Sequence, residues 1–98
     1  MIDGQLELEC LRIPHFYNAF YVYKYATGLS AAIALAKRVT DREPAALAAY
    51  LGFLRGGSSK WPLDLLRDAG VDLERPEPVA VALTRFGTLV DELGTLLG

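Results

Sequence analysis

The chain has 98 residues, with 10 Lys plus Arg, 12 Asp plus Glu, one cysteine, one histidine and a formal charge of −2. With glycine counted in place of tyrosine, 55 of the 98 residues are apolar, against a usual share of roughly 45–50%. Disorder is thereby excluded, and a body this small is expected to have apolar side chains left over to bury against something outside it.

The charge balance and the lack of any basic run argue against nucleic acid as a partner, since a phosphate backbone would find no electrostatic footprint. The lone Cys10 precludes an internal disulfide and makes a reducing, cytoplasmic setting the expectation. The lone His15 precludes a multi-histidine metal site, so no metal is expected to bind this chain alone. The start of the chain carries acid where a signal peptide needs positive charge, and its longest uncharged apolar stretch, Tyr25 to Ala36, is too short to span a bilayer. No membrane partner is expected.

Alanine (13) and leucine (17) far outnumber valine, isoleucine and threonine (6, 3 and 5), and no long stretch alternates apolar with polar. The reading is all-α, a single unit of about four to five helices, with residues 1–12 as a lead-in of open form. Pro14 suits a first helical position, so a helix starts there or a few residues later and runs to about Arg38, with Gly28 a point of bending or breaking. Pro44 starts a second helix to about Leu54, with Leu47, Leu51 and Leu54 on one face and Gly56-Gly57 as its end. Asp41, Arg42 and Glu43 read as a solvated helix-start cluster. Pro62 starts a short third helix that stops at Gly70, where a left-handed cap lets Val71 pack back on Leu66. Arg75-Pro76-Glu77-Pro78 reads as a stiff extended link, and Pro78 opens the last helix. There Val79, Leu83, Phe86, Val90, Leu93 and Leu97 step by fours and threes into a seam for another helix, within the chain or in a second copy, with Gly87 and Gly94 permitting close approach.

Six of the aromatic residues crowd between Phe16 and Tyr25, and from Ile13 to Ala36 the only formal charge is Lys24. As a helix this stretch is apolar on all sides and calls for burial on all sides. Its tyrosines bring hydroxyls that need partners, a cost that phenylalanine would have avoided. Either they are core residues satisfied by backbone or water, or they work. A histidine and phenols on one element are donors at neutral pH, suited to holding a substrate carbonyl as it becomes an oxyanion.

The run Ile13-Pro14-His15-Phe16-Tyr17, followed by Phe20-Tyr21-Val22-Tyr23-Lys24-Tyr25-Ala26-Thr27-Gly28, resembles the C-terminal part of oligoendopeptidase F, a thimet-oligopeptidase-like zinc metallopeptidase. Ser30 to Ala36, Gly56-Gly57-Ser58-Ser59, Pro62 to Leu66 and Ala69 to Asp72 continue the likeness, which covers about residues 6 to 98. The resemblance implies a helical segment of a peptidase catalytic domain that closes over a short peptide. In that family an H-E-x-x-H helix and a distant glutamate hold the zinc, and none of these ligands is in this chain. The piece alone is therefore expected to be inactive, with the remainder of the catalytic domain as its partner. By motif position His15 and Tyr23, then Tyr21, are the implied contacts to the reacting carbonyl. Tyr17, Tyr25, Gly57 and Ser58 are implied peptide contacts, and the choice among Tyr21, Tyr23 and Tyr25 stays open.

Other motifs are weaker. Gly56 to Lys60 lacks the spacing of a phosphate loop, Gly28 to Ala32 falls one glycine short of a nucleophile elbow, and Cys10 reads as a plain buried or surface thiol. The alternative to the peptidase segment is a free-standing helical interaction module, or a homo-oligomer that buries the aromatic helix against its own copy.

Overall fold

A computed structural model describes residues 4–98. Two 3-10 segments, Gly4–Arg12 and Pro14–Tyr17, lead into four α-helices: α1 (Tyr23–Thr40), α2 (Ala46–Gly56), α3 (Pro62–Asp68) and α4 (Glu77–Leu97). The all-α expectation holds, and no strand occurs among the described residues.

The Ala-rich half of α1 is the spine of the structure. Ala31, Ala34 and Leu35, at i, i+3 and i+4, are buried with Ala69 and Val71, and Tyr50, Phe53, Leu66 and Leu73 pack around them. Gly28 lies inside α1 without ending it. At the far end the helix closes with paired bonds from Arg42 N–H to the Val39 carbonyl (3.1 Å) and from Glu43 N–H to the Arg38 carbonyl (3.1 Å). This is a Schellman end with Arg42, at φ +55, in the left-handed position. Asp41 and Glu43 belong to that end and do not start α2: Asp41 pairs with Lys37 and Glu43 with Arg38. The α2 helix begins at Ala46, two residues after Pro44.

The α2 helix stops where expected, with Gly57 at φ +51 leaving the helical region. The α3 helix repeats the Schellman closure, from Gly70 N–H to the Arg67 carbonyl (2.8 Å) and from Val71 N–H to the Leu66 carbonyl (2.9 Å). Gly70 sits at φ +84, and a Cβ there would come within 1.3 Å of Arg38 Nη1. Both backbone freedom and the close approach of the Arg38 side chain require glycine.

Two expectations fail around α4. Pro76 is already in the right-handed helical region (φ −71, ψ −19), so residues 75–78 are a tight entry and not an extended link. The α4 helix packs on α1, with Pro78 buried and Val81 and Ala82 half-buried. The seam of Val79, Leu83, Phe86, Val90, Leu93 and Leu97 is exposed along its length. A four-three period marks an apolar face without naming what covers it, and here it is not α1. A Cβ at Gly87 or Gly94 would meet nothing within 4 Å, so neither glycine serves a close approach within the chain.

The radius of gyration is 17.4 Å, against about 13 Å for a compact body of about 100 residues. No large side chain among the described residues is fully buried. The surplus of apolar surface expected from composition is therefore visible as surface. No helix among the described residues is long and apolar enough to cross a membrane.

Candidate functional site

The aromatic segment is not one helix. Pro14 opens only a single 3-10 turn, Pro14–Tyr17, after which Ala19 (φ 46) and Phe20 (φ 55) both take left-handed backbone before α1 begins at Tyr23. L-residues there cost roughly 1–2 kcal/mol each, and the break discards any helical-wheel phasing carried from His15 through to Tyr25. Burial fails with it: Phe20 is 93% exposed, and Phe16, Tyr17, Tyr23 and Tyr25 are all exposed.

The fold-back brings His15, in the 3-10 turn, against Tyr21, in the turn before α1. His15 Nδ1 and the Tyr21 hydroxyl share a hydrogen bond, and the rings meet edge to face with centroids 5.9 Å apart at 69°. If Nδ1–H donates to the phenol oxygen, the Tyr21 O–H is free to donate outward. If the phenol donates to Nδ1, the free donor is Nε2–H. In either tautomer the pair keeps one polarised donor for a ligand acceptor.

Lys24, the second residue of α1, places Nζ 5.2 Å from the centroid of the Tyr21 ring, a cation–π contact. The sequence marks Lys24 as the only charge of its stretch but not as a site residue, because side-chain stacking across a turn leaves no mark in spacing. Tyr17 faces elsewhere: its hydroxyl donates to the Leu11 carbonyl and ties the two 3-10 segments together. Tyr23 and Tyr25 lie on the exposed first turn of α1.

Gly57 and Ser58 follow α2 and, with Phe53, Leu54, Trp61 and Leu65, line a cleft between α2 and α3 that includes none of the aromatic segment. Cys10 is an exposed thiol. The zinc implied by the resemblance does not fit the residues present: the chain has one histidine, and the described residues hold no group of three or more His, Cys, Asp or Glu able to hold a metal ion.

The sequence model of Peptidase family M3 matches residues 3–85. The chain belongs to peptidase family M3. It is 46% identical over 97 residues to oligopeptidase PepF of Bacillus subtilis (strain 168), a match covering 99% of this chain and 14% of that protein. It is 44% identical over 91 residues to an oligoendopeptidase F homolog of Borreliella burgdorferi, covering 93% of this chain and 15% of that one. With the plasmid oligoendopeptidase F of Lactococcus lactis subsp. cremoris the identity is 40% over 95 residues, covering 97% and 16%. The chain thus spans about one-seventh of the length of the first of these relatives. No solved structure matches.

Proposed function

We propose that these residues form the C-terminal part of the catalytic domain of an oligoendopeptidase F-like peptidase, where they hold a short peptide and its reacting carbonyl. The zinc ligands then come from the remainder of that domain, the 98 residues are inactive alone, and the compartment is the cytoplasm. The observation that carries this reading is the hydrogen bond between His15 and Tyr21, which leaves one donor of the pair free on an exposed surface. The oligopeptidase and oligoendopeptidase names of the relatives support the substrate class.

In this reading a carbonyl oxygen accepts from the free donor of the His15–Tyr21 pair and from Tyr23, and these bonds tighten as negative charge develops on that oxygen. Tyr25 is assigned to the peptide backbone beside that carbonyl, whereas Tyr17, committed to the Leu11 carbonyl, and Gly57 and Ser58, in the separate cleft between α2 and α3, lie apart from it.

The test is made in the intact peptidase that contains these residues. Loss of one such donor costs about 3–4 kcal/mol of barrier, so Tyr23→Phe and Tyr21→Phe are expected to lower kcat by about two to three orders of magnitude with little change in KM. A kcat equal to that of the unmodified enzyme in both variants sinks the assignment.

A second reading, a free-standing helical interaction module or a homo-oligomer, is favoured by the exposed seam of α4. A strict monomer at high concentration counts against the homo-oligomer.

A further inference from the structure

We infer that Lys24 is the carboxylate-reading residue of the site, and that its ligand is the free C-terminal carboxylate of a short peptide. The inference rests on the peptidase reading above and adds the end of the substrate that is recognised.

Lys24 is the only formal charge between Ile13 and Ala36. None of the ion pairs among the described residues involves it. It also gains nothing from its helix. It lies in the first turn of α1, which holds no acidic residue, and a cation at that end opposes the helix dipole. The side chain is nevertheless held in place, with Nζ 5.2 Å from the Tyr21 ring centroid, while the Tyr21 hydroxyl is bonded to His15.

Among the described residues the cluster therefore sets one cation with no acidic partner, stacked on the Tyr21 ring, beside one free donor. A peptide whose carbonyl meets the donor finds the cation a short way along its backbone. The anion that a short peptide always carries is its terminal carboxylate, and an ammonium takes it by charge-assisted hydrogen bonding. Longer chains, whose carboxylate lies far from the reacting bond, lose this contact. Lys24 thus gives a physical reason for preferring short substrates.

The test compares one peptide as the free acid and as the C-terminal amide, in the full-length peptidase. The unmodified enzyme is expected to show a KM about tenfold lower for the acid, the size of one charge-assisted bond. Lys24→Gln removes the preference and Lys24→Arg keeps it. In the unmodified enzyme the preference narrows as salt rises from about 0.05 M to about 0.5 M. If Lys24→Gln does not fold, Lys24→Met, which keeps an unbranched apolar stem and removes the charge, is read in the same way. Equal KM for acid and amide in the unmodified enzyme, a preference that survives Lys24→Gln, or one indifferent to salt overturns the inference. If Tyr21→Phe and Tyr23→Phe keep full kcat, it is the peptidase reading that falls, and the acid-to-amide ratio reports on Lys24 separately.

Discussion

The Arg38 guanidinium donates to the Ala69 carbonyl oxygen at 2.6 Å, across 31 positions of sequence. It is also bonded to Glu43 at 2.6 Å, so one side chain joins the end of α1 to the end of α3. The contact exists because Gly70 has no side chain: a Cβ there would stand 1.3 Å from Nη1.

Gly70→Ala is expected to destabilise the chain by more than the roughly 1–2 kcal/mol of the left-handed penalty alone, since Arg38 must also leave its carbonyl. Urea unfolding followed by circular dichroism reads the loss. An unchanged midpoint would show that the Arg38 bridge does not hold these ends together.

Leu35 and Phe86 provide an opposite pair. Leu35 is 7% exposed in the α1 spine and Phe86 is 67% exposed on the α4 seam. Leu35→Ala is expected to cost about 2–5 kcal/mol, whereas Phe86→Ser stays within about 0.5 kcal/mol. Comparable losses for the two, measured by the same unfolding experiment, would place the seam inside the folded body.

Lys60 donates to Asp68 at 2.6 Å, pinning the loop after α2 to α3. That hydrogen bond, with the charge of Asp68, raises the Lys60 pKa above its ordinary 10.5. Because the folded value is the higher one, the contribution of this contact is complete below 10.5 and is lost as pH climbs through the folded value. Titration of the Lys60 ε-methylene by NMR should show a midpoint above 10.5 that falls in Asp68→Asn. A midpoint that ignores that substitution would dissociate the pair in solution.

Punctuated stretches were legible from sequence. Pro62 with Gly70, and Gly57 after α2, fix φ or release it, so the backbone obeys them whatever the surroundings. The stretch from Phe16 to Val22 contains neither residue type, and its break runs through Ala19 and Phe20, whose preferences oppose it. Composition found the donors of the candidate site there, but the pairing of His15 with Tyr21 depends on that unmarked turn. The seam of α4 was legible as apolar and periodic. Its uncovered state was not, because α1 lies along the neighbouring face that carries Ala80, Val81 and Thr84.

The molecule measures 49 × 41 × 21 Å, and its short dimension is about two helix diameters. A slab of that thickness has no middle layer, so even α1, which packs on both α2 and α4, keeps exposed residues, and the α4 seam meets water along its length. Amide protons on those outer faces are expected to exchange through local openings, ahead of the global unfolding that frees the Ala31, Ala34 and Leu35 core.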